Sequence, residues 1–169
     1  MSLLVHAFRG KATAPSHTLS SFDAMAAVYI LVAIAAGVFL PLQAGVNTRL
    51  AQFVGGPIRA SLISFIVGAL LLAAIAAVAY RGGGQRVADA PWWAWVGGAL
   101  GTVYVTAAIV VAPRMGVGPF FGVLVAAQLV ATVVIDKYGW LGYAEREITP
   151  LRALGVAMLV GGAVLVRLA

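Results

Sequence analysis

The chain is dominated by apolar runs that are each long enough to cross a lipid bilayer. The first run extends from Ala24 to Leu42, and a transmembrane helix needs about 20 predominantly apolar residues. Comparable runs follow it, separated by very short connections. Because a backbone in hydrocarbon must satisfy its own hydrogen bonds, each run predicts a transmembrane helix. The sequence therefore predicts an all-α membrane protein with five spans.

The boundaries of these spans can be read from the polar and proline residues between them. The predicted helices cover about residues 24–52, 57–80, 92–112, 119–138 and 150–168, after a polar N-terminal tail at 1–23. A basic tail before an apolar run is typical of a signal peptide, but this run is long enough to span and is predicted to be the first helix. Met25 leaves open whether the tail is native. The connections are too short for a soluble catalytic domain, so any function must lie in the membrane.

Composition supports a membrane protein and disfavours several other classes. Hydrophobic residues make up 63% of the chain and charged residues 9%, whereas a soluble domain is about 25% charged. The net charge of +6 comes from basic residues that punctuate the apolar runs, so no nucleic-acid partner is predicted. There is no cysteine, and both histidines lie in the tail. We therefore expect no cofactor, no metal and no enzymatic activity.

Polar residues concentrate towards the end of the first span. Pro41, Gln43, Gly45, Asn47 and Arg49 fall within nine positions, and Gln43 and Asn47 share a helix face. Pro41 removes a backbone donor and Gly45 adds little side-chain support, so the helix is expected to kink or open here. Unpaired amides are costly in hydrocarbon, so the two amides must face protein, water or a substrate. The two amides therefore either hold helices together or line a substrate site, and the sequence does not favour one of these roles over the other.

Further polar residues occur inside the third and fourth spans. Gln128, Thr132 and Asp136 follow one another at intervals of four, with Gln128 near mid-depth, where a polar group is most expensive. Asp136 lies near the interface beside Lys137, which favours a solvated ion pair over a proton-coupling carboxylate. Tyr104, near the middle of the third span, either points its hydroxyl into a central cavity or is a buried aromatic with one hydrogen bond.

Two stripes of small residues predict close approach between helices. Ser61, Ser64 and Gly68 lie on one face of the second span. Gly155 and Gly162 are seven residues apart in the last span, so two helical turns bring them to nearly the same face. Small residues at such spacing let another membrane helix pack closely.

Several short motifs occur in an order that is typical of one transporter family. They are Gln43-Ala-Gly-Val-Asn47, Ser64-Phe65-Ile-Val-Gly68, Pro91-Trp92-Trp93-Ala-Trp95-Val-Gly97-Gly98, Gln128-Leu129, Ile135-Asp136-Lys-Tyr-Gly139-Trp140-Leu-Gly142 and Arg152-Ala-Leu-Gly155. Over about residues 26–168, the chain resembles the YdcZ-type family of the drug/metabolite transporter superfamily. Ala127 is a departure, because a glycine is expected before the glutamine.

The resemblance implies both an architecture and an assembly. It implies a five-helix half-transporter that works as an antiparallel pair, which gives a ten-helix inverted repeat with alternating access at a midplane polar site. The glycine pair of the last span also resembles the dimerisation motif of small multidrug resistance proteins, which implies that Gly155 and Gly162 form the dimer interface. The first helix lacks the membrane glutamate of those proteins, which disfavours proton-coupled export of cationic drugs.

The distribution of basic residues bears on topology. Of the 11 basic residues, the majority, including those of the tail, lie on the N-terminal side of the predicted spans. The positive-inside rule therefore leans towards a cytoplasmic N-terminus in the inner membrane, although the balance is close enough for dual topology. The predicted partners are membrane lipids and either an antiparallel homodimer or an oppositely oriented paralogue.

Together these features predict a small secondary transporter or exporter of a small metabolite. The candidate substrate-binding residues are Gln43, Asn47, Tyr104 and Gln128, and the candidate coupling or gating residues are Asp136 and Arg49. Without a deep carboxylate, the small-molecule substrate is expected to be neutral, zwitterionic or anionic. The alternative is a non-transporting structural or regulatory membrane subunit.

Overall fold

The structure is a computed structural model that describes residues 16–79 and 89–169, with side chains described from residue 24 onwards. The five α-helices are α1 (Ser16–Val54), α2 (Pro57–Ala79), α3 (Gly97–Met115), α4 (Val117–Tyr138) and α5 (Pro150–Leu168). Short 3-10 helices at Trp92–Val96 and Trp140–Gly142 precede α3 and follow α4. The part of the predicted polar tail before Ser16 and the connection at 80–88 lie outside the described residues.

All five helices are long and apolar enough to cross a membrane. The candidate spans are Ala24–Val54, Pro57–Ala79, Trp92–Met115, Val117–Tyr138 and Pro150–Leu168. Large apolar side chains are exposed along every helix, as expected of surfaces that contact lipid acyl chains. The predicted all-α membrane fold with five spans is confirmed.

The chain divides into two compact units, residues 1–40 and 41–169. In its described part, the first unit contains only the beginning of α1, from Ser16 to Leu40. The second unit contains the rest of α1 and all of α2 to α5. Within it, α2 packs against α3, α3 against α4, and α4 against α5, with the most extensive contact between α4 and α5.

Helix α1 is longer than the sequence predicted. It begins at Ser16, inside the predicted polar tail, and continues through Pro41 and Gly45 to Val54. The backbone therefore does not open at Pro41 and Gly45, and a kink at these residues stays a prediction. A proline removes a single N–H donor, and transmembrane helices tolerate this because local adjustments satisfy the freed carbonyl.

Two glycines end α1 and reverse the chain into α2. Gly55 and Gly56 have φ values of +83° and +132°, which side chains with a Cβ rarely adopt. The Gly56 N–H donates to the Ala51 carbonyl at 2.9 Å, as in a Schellman motif. The very short turn brings the end of α1 and the start of α2 together.

The connection between α3 and α4 is shorter than predicted. The predicted helix bounds leave residues 113–118 as the connection, but it is reduced to Gly116, whose φ of +91° ends α3 while its N–H donates to the Ala112 carbonyl at 3.0 Å. Pro113 lies inside α3, and Pro119 lies in the first turn of α4. Backbone N–H groups in a first turn have no partner within the helix, so the missing donor of Pro119 breaks no bond there.

The end of α1 and the start of α2 pack against α3 in a small apolar core. Ala60, Val105 and Ile109 are buried, and they are surrounded by the partly buried residues Leu50, Ala51, Val54 and Tyr104. Tyr104 lies at the edge of this core. The core therefore fixes the C-terminal part of α1 relative to α3, where the polar residues of the first span occur.

Candidate functional site

A narrow crevice between α1 and α3 brings together three of the four predicted substrate-binding residues. It is lined by Gln43, Ala44 and Asn47 from α1 and by Tyr104, Val105 and Ala108 from α3. The helical spacing of four places Gln43 and Asn47 on the same face of α1, and the small side chains of Ala44 and Ala108 allow the helices to approach closely. The crevice has no room for a water-sized molecule.

Asn47 is the most unusual residue of this crevice. Its side chain is 4% exposed, and its amide nitrogen Nδ2 has no hydrogen-bond partner. It is the one buried side-chain nitrogen or oxygen atom within the described residues that is left unpaired. A buried donor without a partner normally costs about 1 to 3 kcal/mol, so it needs an explanation.

Gln128 does not line the crevice. Its side chain is exposed on α4, whereas Ala126, two positions earlier, is buried. At about 100° per residue, Gln128 projects from the opposite side of α4 to Ala126. A mid-span amide on an exposed surface lacks a partner in lipid.

Arg49 also lies away from the crevice. Its guanidinium donates to the Gln52 side chain and lies 4.9 Å from the ring centroid of Phe53. These contacts are all within one turn of α1, and the side chain is exposed. The structure therefore brings no basic side chain into the lining of the crevice.

A pair of hydroxyl groups joins α2 to α3 next to the same core. Ser61 is 2% exposed, and its Oγ lies 2.9 Å from Oγ1 of Thr106. Ser61 belongs to the small-residue stripe predicted for the second span. The sequence indicated close packing there, but it could not identify Thr106 as the partner.

Asp136 forms an ion pair, but with Arg152 of α5 and not with the neighbouring Lys137. Adjacent residues on a helix point about 100° apart, so Asp136 and Lys137 do not face each other. Lys137 instead lies 5.4 Å from the ring centroid of Tyr138. The Asp136 carbonyl also accepts a bond of 2.8 Å from the Arg146 N–H, which folds the connection back onto the end of α4.

The predicted interface glycines of α5 lie away from its contact with α4. Ala163 is buried against α4, where a Cβ placed on Gly122 would lie 3.6 Å from the Ala163 Cα. Among the described residues, Gly155 and Gly162 have no such neighbour, since a Cβ at either position would have nothing within 4 Å. The predicted interface glycines thus lie on an open face of α5.

Comparison with known proteins identifies the family. Residues 28–165 match the family described as "Putative inner membrane exporter, YdcZ". The chain belongs to the YdcZ family. This confirms the resemblance predicted from the motifs, and the family's description as an exporter agrees with the predicted class, a membrane transporter rather than an enzyme.

A curated member of the YdcZ family is similar along most of its length. The chain is 33% identical over 140 residues to "Inner membrane protein YdcZ" of Escherichia coli (strain K12), covering 79% of this chain and 90% of that protein. The similarity and the five spans support the predicted location, a multi-pass inner membrane protein. No solved structure matches the chain.

Sequence reasoning missed the apolar residues that complete the crevice between α1 and α3. Ala44, Val105 and Ala108 are buried there, yet alanine and valine are common throughout the spans and carry no distinguishing signal. It also missed Arg152 as the partner of Asp136. The short connection between the fourth and fifth spans was the available signal, because it brings the adjoining ends of two helices together.

Proposed function

We propose that this chain is a secondary transporter that exports a small metabolite through a site formed by Gln43, Asn47 and Tyr104. The observation that carries the proposal is their juxtaposition in the crevice between α1 and α3. Three hydrogen-bonding side chains converge there at positions inside membrane spans. Polar groups at such depth are expensive and commonly mark a substrate pathway.

The crevice corresponds to a closed conformation of the transporter. It has no room for a water-sized molecule, so a solute enters only when α1 and α3 separate. Alternating access requires such an opening on each side of the membrane in turn. The candidate coupling or gating residues are Asp136 and Arg49. The ion pair of Asp136 with Arg152 ties α4 to α5.

The working unit in this proposal is an antiparallel pair. Two copies in opposite orientations generate the inverted repeat on which many secondary transporters are built. Gln128 supports the proposal, because an exposed amide in the middle of a span gains a partner only when another protein surface covers it. Gly155 and Gly162 provide an open face on which a helix of the second copy can pack closely.

Transport by purified protein in liposomes tests the function. We expect uptake or efflux of at least one compound from a broad panel of labelled metabolites. Gln43→Leu should reduce this flux at least tenfold while leaving the protein folded, because leucine is well tolerated in a membrane helix. Thr132→Val is the matched control, since the Thr132 hydroxyl donates to the Leu129 carbonyl of its own helix.

Two results would contradict the proposal. The first is the absence of flux for every compound in the panel. The second is a Gln43→Leu protein that keeps full flux but has a lower melting temperature, which would indicate a polar contact that only holds helices together. Either result would favour the alternative, a structural or regulatory membrane subunit.

A further inference from the structure

We infer that the solute recognised in the crevice is uncharged and presents an oxygen acceptor, such as a carbonyl or a hydroxyl, to the amide nitrogen of Asn47. This inference rests on the proposed function, because it identifies the chemical class that the same site would take. It starts from the unpaired Nδ2 atom and from the absence of charge in the lining of the crevice.

Because the unpaired atom of Asn47 is Nδ2, the group that pairs with it must be a hydrogen-bond acceptor. An asparagine Nδ2 carries two hydrogen atoms and can only donate. The crevice is too narrow for a water molecule to accept from it, so the closed protein leaves this donor unsatisfied. A bare ammonium or guanidinium ligand brings only donors and cannot supply the missing acceptor.

The lining of the crevice determines the charge. It consists of two amides, one phenol and three small apolar side chains, with no basic or acidic residue. Arg49, two residues from Asn47, is directed to Gln52 and Phe53 instead. A carboxylate would therefore be buried without a compensating charge, which costs far more than burying a neutral polar group.

The remaining residues fit an uncharged solute. The amide of Gln43 and the hydroxyl of Tyr104 can each donate or accept, so they adapt to a second polar group on the same molecule. Ala44, Val105 and Ala108 provide an apolar wall for a short carbon skeleton. A small amide or polyol has this combination of groups.

The first test compares three compounds of equal carbon number: butyramide, butyrate and butylammonium. We expect butyramide to raise the melting temperature of the purified protein more than either charged compound does. The increase should persist in Thr132→Val and disappear in Asn47→Leu. The inference is overturned if butyramide has no effect, if a charged compound stabilises more, or if the effect of butyramide survives in Asn47→Leu.

The second test needs no ligand. Leucine has the same number of side-chain heavy atoms as asparagine, branches at the same carbon and has no donor to leave unpaired, so Asn47→Leu should raise the melting temperature of the empty protein. A residue that only holds helices together would give the opposite result, and a lower melting temperature would overturn the inference. Asn47→Ala covers the case in which the leucine variant does not fold. It removes the amide without adding bulk, and we expect it to lose the response to butyramide; a retained response would refute a donating role for Asn47.

The outcomes for recognition and for transport can be distinguished. If flux is measured for a charged metabolite and depends on Gln43, the proposed function stands and this inference fails. If butyramide binds through Asn47 but no compound of the panel is transported, recognition of an acceptor stands and the transport function fails.

Discussion

At the scale of single residues, Ser61 and Asn47 show two different uses of a buried polar group. Both are almost inaccessible to solvent, and both face α3. Ser61 is paired with Thr106, whereas the Asn47 amide nitrogen has no partner. Hydrogen bonds between membrane helices contribute about 0.6 kcal/mol on average, so the first arrangement stabilises the fold modestly. The second destabilises the closed protein, which is expected of a binding residue without its ligand.

The hydroxyl pair can be tested by Ser61→Ala. We expect the free energy of unfolding to fall by about 0.5 to 1 kcal/mol, because Thr106 loses its partner while the Cβ of residue 61 is kept. Ser64→Ala on the same stripe is the matched control. The measurement is reversible unfolding in mixed micelles, and equal effects of the two substitutions would remove any special role from the Ser61–Thr106 bond.

At the scale of helices, α5 has one face packed against α4 and another face that is open. Ala163 contacts α4 at Gly122, while Gly155 and Gly162 lie away from that contact. The sequence pattern identified the small residues of α5 but not the helix that each of them contacts. Glycine and alanine are both common in α5, and only the packed structure shows that Ala163 lies on the face against α4 while Gly155 and Gly162 lie on the open face.

A pair of substitutions separates the two faces. Gly122→Leu should lower the free energy of unfolding by about 1 to 3 kcal/mol, because the added side chain overpacks the contact with Ala163. Gly155→Leu should leave the stability of the protomer unchanged but abolish the dimer on crosslinking in detergent. An unchanged dimer yield for Gly155→Leu, and also for Gly162→Leu, would place the interface on another surface.

The number of helices could be predicted because a bilayer requires each span to have a minimum apolar length. Span number and approximate bounds follow from apolar length, so five spans were predicted correctly. The turns were less predictable. Pro41 and Pro113 suggested interruptions, yet both lie inside helices, whereas Gly116 alone reverses the chain after α3. A proline removes one donor, but a positive φ reverses the direction of the backbone, and sequence does not show which glycine adopts it.

At the scale of the whole molecule, part of the candidate site could be predicted because polar groups are rare in membrane spans. Gln43, Asn47 and Tyr104 were identified for that reason, and the structure brings them into one crevice. The same reasoning selected Gln128, which lies outside it. Rarity identifies a polar residue, but the direction of its side chain depends on helix rotation and packing.

Topology provides a prediction for the assembled molecule. Because basic residues are nearly balanced between the two sides of the membrane, we expect C-terminal reporters that are active on opposite sides to both give signal. Adding one arginine to a connection on one side of the membrane should shift the ratio of the two signals. A single strict orientation would rule out the homodimeric antiparallel pair and favour an oppositely oriented paralogue as the partner.

Passage of the solute through the crevice between α1 and α3 can be tested by locking that crevice. The chain has no cysteine, so Ala44→Cys and Ala108→Cys can be combined without a background of other thiols. Joining the two thiols by oxidation or by a short bifunctional reagent holds α1 against α3. In liposomes, we expect flux to stop when the two thiols are joined by a disulfide and to return when the disulfide is reduced. Full flux through the crosslinked protein would contradict passage through this crevice.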